Sequence, residues 1–184
     1  MRIPPESDSE LARRARVGDG DAFGALLERH APMVRRLTRA VLRHSEDADD
    51  AAQDAFVAVW TSMPRFDPAQ PFAPWLARIA LNTARDLARR RRVRQTDSVP
   101  ETIATRDPGP EQDAERRLLR QRLDAGLAKL PERQRLAVVL YDVEGYRHAE
   151  IAALLDVPEG TVRSEVFHGR RRLRAALAEP GGES

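Results

Sequence analysis

Three groups of side chains in this 184-residue chain have the types and spacing to do chemistry. The first is Asp49, Asp50, Gln53 and Asp54, with Val57 one turn further on. The spacing is not that of a calcium loop and no glycine supplies its turn, so a solvated or partner-facing acidic helix face is favoured over a metal site. The second is Arg78, Asn82, Arg85, Arg89 and Arg92, spaced 4, 3, 4 and 3 apart. Such a stripe can follow a phosphate backbone while its amide faces a base; the alternative is a solvated helix end favoured by the dipole. The third is the set Glu159, Thr161, Arg163, Ser164, Glu165, His168, Arg171 and Arg172, a polar and basic face near the C-terminal end. None of the three is enzymatic in pattern. His30, His44, His148 and His168 lack metal-like or triad-like spacing, no glycine-rich phosphate loop exists, and the absence of cysteine excludes thiolate chemistry.

Helices must hold all three groups. From Tyr146 to Leu177 the pattern is two helices and a tight turn. Ile151, Leu154 and Leu155 share one apolar face, the Asp156–Gly160 segment interrupts the period, and Val162, Val166, Gly169, Leu173 and Leu177 form a second stripe. A short helix, a turn and a longer helix with a basic outer face is the helix-turn-helix pattern, whose second helix enters the DNA major groove. An ordinary αα-hairpin is the alternative. The Arg/Asn stripe belongs to a helix from Trp75, with Leu76, Ile79, Ala80 and Leu87 inward and Thr83 the polar member of that face. Before it, residues 61–74 read as an aromatic, proline-rich loop containing Phe66 and Phe72. The acidic group rides on a helix capped by Ser45, with Ala52, Phe56 and Val59 or Trp60 inward.

Upstream, Asp8 or Ser9 is expected to cap a helix through Val17, and a second helix spans about Asp21 to Arg43, kinked or restarted at Pro32. Downstream, helix returns near Ala114. Leu119, Leu123, Leu127 and Leu130 follow a 4, 4, 3 spacing; Pro131 opens a helix with Leu136, Val139 and Leu140 inward, and Gly145 turns the chain. Residues 95–113 break the helical pattern with Pro100, Pro108, Gly109 and Pro110 and carry more acidic than basic residues, which predicts a flexible linker. The expected organisation is therefore all-α: an N-terminal segment with a short helix (1–20), a helical domain (21–94), the linker (95–113), a helix-turn-helix domain (114–178) and a disordered tail (179–184).

Composition agrees. Charged residues at 33% beside 41% hydrophobic describe a folded, soluble chain, and only 5% aromatics suit small-residue helical cores. Net charge is only +2, so any nucleic-acid footprint must come from local segregation of charge. No apolar run approaches the ~20 residues of a membrane span and no signal-peptide core opens the chain, so a cytoplasmic protein without membrane insertion, metal or cofactor is expected.

Taken together, these residues resemble the sigma factors of bacterial RNA polymerase, specifically the small two-domain extracytoplasmic-function (ECF) type, over about Ala22 to Leu177. Asp49-Asp50-Ala51-Ala52-Gln53-Asp54-Ala55-Phe56 looks like that family's polymerase-binding helix. Phe72-Ala73-Pro74-Trp75-Leu76-Ala77-Arg78-Ile79-Ala80-Leu81-Asn82, continuing into Asp86-Leu87-Ala88-Arg89-Arg90, looks like its promoter-melting segment. Leu130-Pro131-Glu132-Arg133-Gln134-Arg135 and the Ile151–Ser164 stretch match its closing helices.

The resemblance implies a role for each group. Asp49, Asp50, Gln53, Asp54 and Val57 would bind the clamp helices of the largest subunit of core RNA polymerase, and the second domain its flap. Phe66, Phe72, Trp75, Arg78, Ile79, Asn82, Arg85 and Arg89 would engage the −10 promoter element, with Phe66, Phe72, Ile79 and Asn82 forming a pocket for an extruded base. The linker would thread toward the polymerase active site. Glu159, Thr161, Arg163, Ser164, Glu165, His168, Arg171 and Arg172 would read the −35 element, and an anti-sigma factor is an implied partner. One residue departs from the pattern: the family usually has a basic residue where Glu165 stands. Glu165 either accepts a hydrogen bond from a cytosine amino group or sits off the DNA. A stand-alone helix-turn-helix regulator explains residues 114–177 equally well, but not the acidic face, the aromatic loop and the Arg/Asn stripe.

Overall fold

Helix caps and apolar periods decide where each element begins and ends. The computed structural model describes residues 6–42, 44–94 and 114–178, and among them there are eight α-helices and no strand. They are α1 (Asp8–Arg16), α2 (Gly20–Val41), α3 (Ser45–Ser62), α4 (Phe72–Arg94), α5 (Ala114–Ala128), α6 (Glu132–Val138), α7 (His148–Leu155) and α8 (Glu159–Ala178). The chain divides into two compact units, 1–101 and 102–184. The expected linker at 95–113, residues 1–5 and the expected tail at 179–184 lie outside the described residues.

In the first unit α1 is capped by Ser7, whose hydroxyl accepts from the Glu10 amide, rather than by Asp8 or Ser9. Leu11, Ala12 and Ala15 are buried against α2, so this helix is part of the domain and not an appendage to it. Gly18 at φ +95° ends it one residue before the expected boundary. Asp19 then caps α2, accepting from the Ala22 amide at 3.0 Å. That hydrogen bond, with Arg14 beside it, holds the Asp19 carboxyl below its ordinary range.

Pro32 does not restart α2, which runs through it unbroken. Glu28 and Pro32 both lie on the exposed face, where water can serve the freed carbonyl. The opposite face buries Leu26, Met33, Val34, Leu37 and Val41, each worth about 1.5–3 kcal/mol. That outweighs a loss of about 3 kcal/mol for an internal proline.

The expected loop at 61–74 is mostly helical. α3 continues to Ser62, a single 3-10 turn covers Met63–Arg65, and α4 begins at Phe72. Pro74 falls in the first turn of α4, where a missing amide proton costs nothing. Ser45 is the first residue of α3 and not its cap; His44 precedes it without a side-chain cap bond. The core face of α4 is Leu76, Ala77, Ala80, Leu81 and Ala84, with Ile79, Thr83 and Leu87 only half-buried at its edge. α4 packs on both α2 and α3, so its buried stripe is wider and rotated from the expected one. Asp47, in the first turn of α3, is buried and paired with Arg91.

In the second unit α6 passes into a wider π-helical turn at Val139–Val143, and Gly145 at φ +74° turns the chain into α7. Leu130, Leu136, Val139, Leu140, Tyr146, Ile151, Leu154, Val162 and Val166 form its core. Two glycines permit close helix crossings. A Cβ on Gly169 would lie 2.7 Å from the Val138 side chain and 3.1 Å from the Gln134 carbonyl, and one on Gly126 would lie 2.9 Å from Leu173. The 4, 4, 3 leucine stripe is only partly internal. Leu130 is buried, whereas Leu118, Leu119 and Leu123 are exposed; α5 meets α8 at Gly126, and Arg122 donates to the Leu177 carbonyl at 2.8 Å.

Candidate functional site

The acidic face stands on the outer side of α3. Ala48, Ala51, Ala52, Ala55 and Val59 face the core, which leaves Asp49, Asp50, Gln53, Asp54 and Val57 exposed together. Asp49 reaches Arg39 at 3.8 Å; among the described residues Asp50, Gln53 and Asp54 make no hydrogen bond or ion pair. Sequence reasoning missed the neighbour of this face. Trp60 is 42% exposed and packs on Phe23 with ring centroids 4.7 Å apart, next to Val57 at 65% exposure. The 3.6-residue period left Val59 and Trp60 as rivals for the core position, and Val59 takes it. Uncommitted carboxylates beside an apolar ledge suit a basic protein surface that also offers apolar contacts.

The aromatic residues ahead of α4 form a corner of the core. Phe66 and Phe72 are buried, edge to face at 5.7 Å, and Trp75 lies half-buried 4.6 Å from Phe66. His30 packs 5.5 Å from Phe72 and meets Asp8 through Nε2 at 2.7 Å, which ties α1 and α2 to this corner. Phe66 and Phe72, expected as walls of an open pocket, are therefore core side chains in this conformation. Their apolar area is better satisfied against Trp75 than in water.

The rest of the group lies along the outer side of α4. Arg78, Asn82 and Arg89 are exposed, and Ile79 and Arg85 are half-buried. Arg89 pairs with Asp86 one turn earlier, an exposed contact of little strength that a phosphate can replace. Arg78 and Asn82 are uncommitted among the described residues. This face brings three arginines and one amide into line, which fits a phosphate backbone with one base-reading position.

In the second unit α7 begins with the Glu150 carboxylate accepting from the Arg147 amide at 2.7 Å. Asp156, in the left-handed region at φ +54°, closes α7, and the Val157 amide donates back to the Ala152 carbonyl. Pro158 then leads into α8, whose Val162, Val166 and Gly169 seat it on α6 and α7. Several outward residues are already engaged. Arg163 binds Glu159 at 2.7 Å, Arg172 donates to Gln134 at 3.2 Å, and Arg170 grips Asp142 while lying 5.0 Å over the Tyr141 ring. The hydrogen bond to Asp142 pushes the Arg170 guanidinium further up, so it is fixed as a cation.

Ser164, His168 and Arg171 remain exposed, Thr161 and Glu165 half-buried. Between them Phe167, which sequence reasoning passed over, is 64% exposed, edge-on to His168 at 5.3 Å. The signal was available: Phe167 follows core residue Val166 by about 100° of rotation, so it cannot share that face. An exposed aromatic on this helix can touch a thymine methyl. Among the described residues no cluster of acidic or histidine side chains could hold a metal, and no helix is long and apolar enough to cross a membrane.

Comparison with known proteins places these faces in a context. Residues 26–94 match the family model for Sigma-70 region 2, and residues 120–173 match that for Sigma-70, region 4. The chain is 37% identical over 183 residues to the RNA polymerase sigma factor CnrH of Cupriavidus metallidurans, covering 95% of this chain and 96% of CnrH. It is 37% identical to the ECF RNA polymerase sigma factor SigM of Mycobacterium tuberculosis, covering 93% of this chain and 85% of SigM. The structure of CnrH in complex with the cytosolic domain of CnrY superposes with a TM-score of 0.70 at 33% identity, covering 95% of this chain and 100% of that one. For fold alone, the sigma factor RpoE from Bartonella quintana, solved with the anti-sigma factor NepR, gives a TM-score of 0.73 at 23% identity, covering 86% and 98%.

Proposed function

Since the chain belongs to the ECF-type sigma factors of RNA polymerase, we propose that its two units divide promoter recognition between α4 and α8. As a promoter-directing sigma factor it binds core polymerase and starts transcription at matching sites. In our reading Asp49, Asp50, Gln53, Asp54 and Val57 dock on a basic surface of core polymerase, and the Trp60–Phe23 ledge supplies apolar area beside them. Arg78, Asn82, Arg85 and Arg89 then line the −10 strand. Opening the duplex costs about 1.4 kcal/mol per base-pair step. Capture of an extruded base against Asn82 and Ile79 offsets part of that cost, with Trp75 as the accessible aromatic neighbour and Phe66 and Phe72 supporting it from within. The α8 face from Glu159 to Arg172 reads the −35 element.

The observation that carries this reading is the coexistence of two segregated faces on one small domain: an exposed acidic face on α3, where Asp50, Gln53 and Asp54 are uncommitted among the described residues, and an Arg/Asn face on α4, where Arg78 and Asn82 are. A stand-alone regulator needs neither. The chain acts without catalysing a reaction itself, and it works in the cytoplasm where its polymerase is. CnrH was solved with the cytosolic domain of CnrY, and RpoE with the anti-sigma factor NepR; a comparable anti-sigma partner is proposed here. A competition assay tests the core of the reading. The purified chain displaces a labelled sigma factor from core polymerase, and the resulting holoenzyme makes run-off transcripts; a chain that does neither is not acting this way.

A further inference from the structure

Among the outward side chains of α8, Glu165 stands apart. The helix carries five arginines, 163, 170, 171, 172 and 174, yet Glu165 is paired with none of them. Arg163 is taken by Glu159, Arg170 by Asp142 and Arg172 by Gln134. The positions three and four residues away hold Val162, His168, Thr161 and Gly169, so no arginine or lysine occupies a facing position on the helix, and Arg163, two residues back, points elsewhere. Glu165 is half-buried on the flank of α8 that also carries Thr161 and His168, and among the described residues its carboxylate makes no hydrogen bond or ion pair. It lies in the first two turns, the part of a recognition helix that meets base edges.

An ionised carboxylate brought against DNA loses water and, unless it finds a donor, stays unsatisfied beside phosphates that repel it. The major groove presents few donors. Guanine offers acceptors N7 and O6, thymine the acceptor O4, adenine an acceptor beside its amino group, and cytosine the N4 amino group without a neighbouring acceptor. Resting on the −35-reading role of α8, we propose that Glu165 is a specificity-determining residue that accepts a hydrogen bond from cytosine N4 and so demands a C·G pair, in one orientation, at one −35 position.

The test is initiation by the full chain with core polymerase on a library randomised across the −35 element. The wild type selects cytosine at one position by about tenfold or more over each other base. Glu165→Gln, nearly isosteric and able to pair adenine, lowers that preference at this position alone, while core binding and the −10 preference stay as they were. Glu165→Arg moves the same position toward guanine, which guards against reading a folding defect as a loss of specificity. Wild-type selection of a −35 element without a cytosine preference, or an unchanged preference in Glu165→Gln, overturns the role of Glu165. Initiation from no template at all overturns instead the function on which it rests, and core binding without any −35 selection overturns the role of α8.

Discussion

At the residue scale, Asn82 carries the sharpest functional expectation. It is the lone amide in a row of arginines, exposed and uncommitted, so its contribution should be to an open base and not to the closed duplex. Asn82→Ala is expected to slow initiation several-fold on duplex promoters and much less on templates already melted over the −10 region. Equal losses on both would assign it to docking. Gly169 carries the sharpest structural expectation. Its Cβ position is occupied by Val138 and the Gln134 backbone, and backbone cannot yield, so Gly169→Ala should cost about 1–3 kcal/mol of stability in thermal unfolding. These two positions were legible to different degrees. Asn82 announced itself by type and spacing, whereas Gly169 read only as part of a stripe, because a helix crossing distance is not written in one helix. The same limit applies to Phe66 and Phe72: their types suggested a ligand wall, and only the packing against Trp75 and His30 shows that they face inward.

At the element scale, periodicity located every helix of the described residues but misjudged where buried faces lie. α4 packs against two neighbours, so its core stripe widened to include Ala77, Leu81 and Ala84. α5 packs against little, so Leu119 and Leu123 stayed outside. α3 kept the expected acidic outer face, but its inner face is Ala48, Ala51, Ala52, Ala55 and Val59, with the expected Phe56 only half-buried. Reversing that outer charge tests its role. Asp50→Lys with Asp54→Lys should leave the far-ultraviolet circular dichroism unchanged and weaken core polymerase binding roughly tenfold at low salt, with a smaller effect at high salt.

The helix-turn-helix has a pH signature of its own. Burial, then the nearby Glu144 and Glu150 carboxylates, push the Tyr146 phenol up to about 12, against about 10 in an unfolded chain. Between those values the folded form retains a proton that the unfolded form has lost. Stability contributed by the neutral phenol is therefore intact below pH 10 and declines as the pH rises toward 12. Tyr146→Phe should flatten that alkaline decline in denaturant titrations of the whole chain, and an unchanged slope would contradict it.

At the scale of the whole molecule, two compact units carry three separate surfaces: the acidic face of α3, the Arg/Asn face of α4 and the outer face of α8. The order of these surfaces along the chain was legible from sequence, since each depends on local charge segregation. What sequence could not show is which charges are already spent inside the protein. Arg91 is committed to buried Asp47, and Arg170 to Asp142, leaving a smaller and more selective set for promoter DNA than the count of arginines suggests. On this reading one chain reads two promoter elements while bound to core polymerase. Sequencing of transcript start sites made by this chain and core polymerase on a promoter library randomised upstream of the start tests it. Two enriched elements are expected, at −35 and −10, the first altered by changes in α8 and the second by changes in α4. Enrichment at only one element, or start sites no different from those of core polymerase alone, would contradict it.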